Sequence, residues 1–289
     1  MIERLTNPKT VKALCEKYGF RFKKGLGQNF LIDERVVEDT IAGTGITKNT
    51  SVIEIGPGFG SLTQSLLEAA KEVTAIELDS NLIPVLSDLF GSAENFHLIN
   101  ADVLKTDLNP LILNEDTVVV ANLPYYITTP IVSALLEKRY PFKSITVMVQ
   151  KEVAKRMVAT CREKDYGALS CMVDYYTDAS IIRDVKPHCF TPQPGVDSSV
   201  VLMKLLKTPK VSPKNETVYF KTVKAVFLQR RKTLLNGLSN SGFFSQSKEE
   251  IASLLETLGY SPSVRGETLS IQDFCRISDQ LSLPKKAPV

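Results

Sequence analysis

The stretch SVIEIGPGFGSLTQSLLEAAKEVTAIELD, Ser51 to Asp79, decides the fold. Its first five residues form a short β-branched run. Glycines follow at 56, 58 and 60, and then a segment with Leu62, Leu66 and Leu67 at helical spacing. A second β-branched run, EVTAIEL (72–78), closes the unit. Strand, glycine turn, helix and strand in so short a span predict a βαβ crossover with its two strands parallel. The glycines let the chain turn sharply where the first strand ends, bring the backbone close to a ligand and aim helix N–H groups at it.

Further runs flank this unit. NFHLIN (95–100), TVVVA (117–121) and SITVMV (144–149) alternate with helical patterns such as NLIPVLSDLF. ASIIRDV (179–185) and SSVVLMKL (198–205) follow, joined by a proline-containing loop that adds an antiparallel strand. The whole predicts an α/β fold, a mostly parallel, doubly wound sheet of seven strands. After the linker KTPKVSPKN (207–215) the period becomes helical. The expected division is therefore a catalytic domain over 1–209 and a small all-α domain over 210–289.

Composition excludes several classes. The chain has 289 residues and is 43% hydrophobic, enough for one large core and a small one. No apolar run approaches the roughly 18 residues of a membrane span, and MIERLTNPKT places charges and a proline where a signal peptide needs an apolar stretch, so a cytoplasmic location is expected. The five cysteines lack a CxxC pair, and the two histidines stand far apart with no carboxylate at ligand spacing. Neither a disulfide framework nor a metal is expected. The formal net charge of +3 is unevenly spread: residues 1–35 hold eight Lys/Arg against four Asp/Glu, and 210–289 hold twelve against seven. Basic ends around an acidic middle suit a polyanionic partner.

The chemistry gathers at strand ends. A dinucleotide fingerprint reads GxGxxG; GxGxG with Pro57 and a preceding Glu54 is more usual for S-adenosylmethionine sites. Glu77 ends the second strand, where a carboxylate accepts the hydroxyls of a ribose, and Asp79 is expected to cap the next helix. Asp102 ends the third strand, where it accepts from an adenine amine. At the end of the fourth stands NLPY, Asn122 to Tyr125. An amine conjugated to an aromatic base is a poor nucleophile. The Asn122 side-chain oxygen and a backbone carbonyl at Leu123 or Pro124 offer two acceptors for its N–H protons and for the charge that develops on nitrogen. Tyr125 supplies a ring to stack on a flipped base.

KKGLGQNFLID (23–33), IEIGPGFGSLT, AIELD, NADVL, ANLPYYITTPI, MVQKEVAKRM, YGALSC, FTPQPGVDSSVV and VFLQRRKTLLNGL occur in the order of the KsgA-type ribosomal RNA adenine dimethyltransferases, which the chain resembles over about 20–240. The resemblance implies a class I S-adenosylmethionine-dependent (Rossmann-like) methyltransferase fold with a helical C-terminal domain. It implies dimethylation of the N6 amino groups of two adjacent adenosines in the 3′-terminal hairpin loop of 16S rRNA, with S-adenosylhomocysteine as product. Cofactor contacts carry over to Gln28, Asn29 and Leu31, to Gly56 and Gly58, to Glu77 and Leu78, to Asp102 and Val103, and to Asn122. Phe190 matches the aromatic on the other face of the target base. Gly25 stands where many relatives have serine. For RNA, the resemblance points to Arg21, Lys23, Lys24, Arg230, Arg231 and Lys232. The implied partner is the small ribosomal subunit, approached by a monomer, without membrane or metal. The competing readings are a large-subunit rRNA methyltransferase, a noncatalytic ribosome-assembly factor and, more distantly, a nicotinamide oxidoreductase.

Overall fold

The computed structural model describes residues 3–282 apart from Lys24, Leu26 and Arg230. Among these, the strands are β1 (Phe30–Leu31), β2 (Ser51–Ile55), β3 (Glu72–Glu77), β4 (Phe96–Asn100), β5 (Val118–Asn122), β6 (Ser144–Gln150), β7 (Thr177–Val185), β8 (Phe190–Thr191) and β9 (Ser198–Leu205). The helices are α1 (Pro8–Lys17), α2 (Glu34–Thr44), α3 (Ser61–Ala69), α4 (Ile83–Phe90), α5 (Thr128–Glu137), α6 (Lys151–Val158), α7 (Ala168–Tyr176), α8 (Glu216–Phe227), α9 (Leu234–Ser239), α10 (Lys248–Thr257) and α11 (Ile271–Leu281).

Seven strands form one sheet in the order β4-β3-β2-β5-β6-β9-β7. β4 through β6 in that order pair in parallel, and β9 pairs antiparallel with β6. Every residue of β2 is buried, as are the first four of β5 and the first six of β6, which is why these runs are mostly β-branched and apolar without a regular polar alternation, Glu54 being the one buried charge-bearing side chain among them. Chain order runs outward from β2 through β3 to β4, then resumes on the other side at β5. The reversal opens a crevice at the carboxyl ends of β2 and β5, and the register puts Ile55 beside both Ile76 and Ala121. In the core beside the sheet, Val52, Val118, Val120 and Val200 pack with Leu62 and Leu66 of α3 and Val36 and Val37 of α2.

The chain divides into two compact units, Met1–Ala154 with Asp178–Leu205, and Lys155–Thr177 with Leu206–Val289. The second differs from the sequence expectation by drawing in 155–177. The cause is aromatic packing: Tyr175 meets the Tyr219 ring at 5.0 Å, and Tyr166 meets Phe227 at 5.7 Å. The segment VYFKTVKAVFLQRRKTLLNGL folds as two helices. It breaks after Phe227, and α9 restarts where the Thr233 side chain accepts the Asn236 N–H. Gly237 lets α9 lie against α8, since a Cβ there would stand 3.2 Å from Val226 Cα.

Candidate active site

The cavity at the sheet reversal, about 1030 Å³ including its open mouth, is lined by Gln28, Asn29 and Leu31, by the glycine loop, and by Glu77, Leu78, Asp102, Val103, Asn122, Leu123 and Pro124. Thus all the expected cofactor contacts, from five separate stretches of sequence, meet in one crevice.

The loop after β2 takes its shape from glycine. Gly56 has φ +69° and Gly58 φ +63°, the left-handed region that L side chains rarely adopt. A Cβ on Gly58 would also lie 2.8 Å from the Phe30 ring. The loop delivers α3 with no side chain capping its first turn, so N–H groups are left facing the cavity. Glu77, buried at 6% exposure, fastens this loop: one carboxylate oxygen accepts the Gly58 N–H (3.3 Å) and the other the Asp79 N–H (2.7 Å). Burial pushes its carboxyl above the usual range, while those N–H groups oppose the shift. Both oxygens keep lone-pair capacity toward the cavity. Beneath it Glu54, fully enclosed, accepts a 2.6 Å bond from Thr63 Oγ1 on Oε2 and has no partner on Oε1. Desolvation raises it to about 8, against the Thr63 bond and with help from the Glu77 charge.

Asp79 does not cap α4, whose N-cap is Leu82. Its carboxylate takes the Asn81 N–H in the preceding turn, Lys23 Nζ at 2.8 Å and Gln28 Nε2 at 2.9 Å. Burial opposes ionisation, but these three donors win and hold the carboxyl below its usual range. Lys23, expected on phosphate, is therefore held by an ion pair. Asp102 accepts the Leu104 N–H on Oδ1.

Asn122 is oriented unambiguously. Its Nδ2 donates to the Asn29 carbonyl at 3.0 Å, and because a carbonyl can only accept, the amide nitrogen must face that way. Oδ1 is left open. Of the two backbone acceptors considered, Pro124 O already takes the Ile127 N–H and the Thr128 hydroxyl, so both its lone pairs are used. Leu123 is held by its N–H on Met148 O, and its own carbonyl has no partner among the described residues. Of the two expected acceptors, it is the one left without a partner among the described residues.

Two aromatic residues depart from expectation. Phe190 is 1% exposed and sits in the core with Leu31 and Val200, so its ring offers no face to a base in this structure. The cause is a two-stranded ribbon, β1 against β8, that sets Leu31 opposite Phe190. This ribbon ties the QNFL segment to FTPQP, and no local pattern announces two-residue strands. Tyr125 is half-buried, with its hydroxyl 2.7 Å from Ser198 Oγ. The ring that lines the cavity and stands 56% exposed is Tyr126, which the sequence reading passed over.

The ribbon also brings His188 and Cys189 to Asp33, with potential ligand atoms within 4.8 Å of one another, a carboxylate neighbour that spacing along the chain did not reveal. Asp33 Oδ1 caps α2, and Oδ2 accepts from the Cys189 thiol, which burial and this carboxylate push up. Arg21, Arg231 and Lys232 are exposed, whereas Lys24 and Arg230 lie outside the described residues.

A seven-stranded sheet of this order, with a glycine loop, Glu, Asp and Asn at successive strand ends around one crevice, defines a class I S-adenosylmethionine-dependent methyltransferase. The ribosomal RNA adenine dimethylase family matches residues 19–282. Ribosomal RNA small subunit methyltransferase A of Clostridium botulinum (strain Loch Maree) is 50% identical over 269 residues, 93% of this chain and 97% of that protein. The crystal structure of a dimethyladenosine transferase from Plasmodium falciparum superposes with TM-score 0.72 at 26% identity, covering 86% of this chain and 95% of that one. The 23S rRNA methyltransferase ErmE shares the fold, with TM-score 0.66 at 24% identity over 88% of this chain and 100% of that one. The chain belongs to the ribosomal RNA adenine dimethylase family.

Proposed function

We propose that this protein transfers methyl groups from S-adenosylmethionine to the N6 amines of two adjacent adenosines in the 3′-terminal hairpin loop of small-subunit rRNA, two per base. The observation that carries the reading is the Asn122 amide, fixed by Asn29 so that Oδ1 is not the atom bound there, beside the Leu123 carbonyl, which has no partner among the described residues. Two acceptors at one strand end suit the two protons of an exocyclic amine. With S-adenosylmethionine bound, the amine lone pair would form the N–C bond as the S–C bond breaks, and positive charge would grow on nitrogen beside these two acceptors. Both acceptors gain strength with it, and the surplus proton leaves to water.

The pocket's polar groups fit the cofactor. Glu77, already anchored to the glycine loop, retains acceptor capacity for ribose hydroxyls, Asp102 for an adenine amine, and the uncapped first turn of α3 faces the same cavity. S-adenosylmethionine, when bound, supplies a methyl group activated by a sulfonium. The helical unit and the basic segment near Arg21 serve RNA binding in this reading, and action on ribosomal subunits implies a cytoplasmic site of work; no helix among the described residues is long and apolar enough to cross a membrane.

The test is transfer of labelled methyl groups to small and large subunits lacking these modifications. Label is expected in the small subunit, at two adjacent adenosines. Label in the large subunit alone would move the protein to the large-subunit reading, and no transfer to either would overturn the enzymatic one.

A further inference from the structure

Tyr126 has no place in the mechanism above, yet it occupies a distinctive position. It follows the acceptor motif directly, lines the cavity and leaves 56% of its surface exposed, among the most open large hydrophobics of the described residues. Other rings around the cavity are spoken for. Phe30 and Phe59 pack together at 4.6 Å, Phe190 is in the core, and the Tyr125 hydroxyl is tied to Ser198. Tyr126 makes no ring contact with another aromatic and no hydrogen bond among the described residues. Its ring lies against the backbone at Gly27, where a Cβ would come within 3.3 Å of Cδ1 and within 3.6 Å of Pro124 Cβ. This position belongs to the amine-acceptor end of the crevice, beside Asn122 to Pro124, rather than to the Glu77 and Asp102 end. Gly27 has φ +58° and carries no side chain, so the ring packs on backbone without being enclosed.

We propose that Tyr126 is a positioning residue that stacks the nucleotide adjoining the target adenosine. The inference rests on the reading that a base in RNA enters this crevice. If one base is flipped to Asn122, its neighbour on the strand is left outside the pocket and has lost a stacking partner. An aromatic face at the mouth, held from one side by backbone and open on the other, replaces that partner and works with any base. For a substrate with two adjacent targets, the same ring receives whichever adenosine is not in the pocket.

The experiment measures steady-state methylation of unmodified small subunits, with calorimetric titration of S-adenosylmethionine alongside, for wild type, Tyr126→Ala and Tyr126→Phe. Tyr126→Ala is expected to raise KM for subunits about tenfold or more, the loss of one base–aromatic stack, with kcat and cofactor affinity within about twofold of wild type. Tyr126→Phe is expected to restore KM, because the ring and not the hydroxyl does the work. Subunits reconstituted with an abasic residue beside the target should erase the difference between wild type and Tyr126→Ala. An unchanged KM, a loss confined to kcat or to cofactor affinity, no rescue by Phe, or a difference that persists on the abasic substrate would each overturn the proposal. Wild type inactive on small subunits would instead refute the function on which it rests.

Discussion

Asn122 shows how a single side chain acquires a direction. Its amide would be ambiguous alone, but the Asn29 carbonyl takes the nitrogen, so that in the proposed mechanism Oδ1 meets the substrate amine. Asn122→Ala should therefore lower kcat by about 10²–10³-fold, by analogy with loss of one oxyanion-hole donor, while cofactor affinity changes far less. Single-turnover methylation with separately measured cofactor binding checks this, and wild-type kcat would remove Asn122 from the chemistry. Glu77 is proposed to act on the other term: a buried carboxylate with two backbone N–H groups already in place would give charge-assisted bonds to ribose worth roughly 1.5–3 kcal/mol each. Glu77→Ala should weaken S-adenosylmethionine binding more than about tenfold by calorimetry. Glu54 makes a prediction about pH. Its carboxyl rises from the usual 4.5 to about 8, so between those values the folded protein holds a proton that the unfolded chain has released. Unfolding then releases the proton, and this group's contribution to stability falls as pH rises through that window. Glu54→Gln keeps an oxygen for Thr63 and cannot ionise. Thermal unfolding from about pH 5 to about pH 8 should show the wild type losing more stability than Glu54→Gln, and parallel curves would refute the assignment.

Elements bring these residues together, and here the sequence was readable to an uneven depth. The sheet was legible because its central strands are buried on both faces, so SVIEI, VVVA and SITVMV announce themselves as β-branched, mostly apolar runs. The glycine loop was legible because its backbone tolerates little else. The β1–β8 ribbon was not, since Phe30–Leu31 and Phe190–Thr191 are too short for a periodic signal and lie far apart in the chain. Its consequences were hidden with it: the burial of Phe190 and the meeting of His188 and Cys189 with Asp33. Similarly, α5 decides which carbonyl stays free, because its first turn consumes Pro124 O. The contact between Gly58 and Phe30 couples loop to ribbon and can be tested. Gly58→Ala would place a methyl 2.8 Å from the ring at φ +63°, so the β1 segment must shift. The left-handed conformation alone costs about 1–2 kcal/mol for a non-glycine residue. Denaturant unfolding should show at least that loss, and cofactor affinity should fall along with it, because Asn29 and Leu31 move with Phe30. A variant as stable as wild type, with unchanged cofactor binding, would show that loop and ribbon are independent.

At the scale of the whole molecule, the divided charge and the division into two units point to separate tasks for binding RNA and for holding cofactor. A chain cut at the linker would not separate them cleanly, because 155–177 belongs with the helices and Tyr166 and Tyr175 pack on Phe227 and Tyr219. Charge substitution in the intact chain is the better probe. Arg231 and Lys232 are exposed in the turn between α8 and α9, whereas Lys23 is held by Asp79, so the first pair is freer to meet phosphate. Each phosphate neutralised on single-stranded or duplex nucleic acid contributes about 0.7–0.9 to the slope of log affinity against log salt. Replacing Arg231 and Lys232 with Gln should therefore weaken binding to unmethylated small subunits at low salt and flatten that slope by about 1–2. The methylated positions, mapped by primer extension, should stay the same, because phosphate contacts set register and affinity while, in the proposed mechanism, the acceptors at Asn122 and Leu123 read the amine. An unchanged slope would remove these residues from the RNA surface. A changed methylation pattern would mean that the turn between α8 and α9 helps select the target instead of merely gripping the backbone.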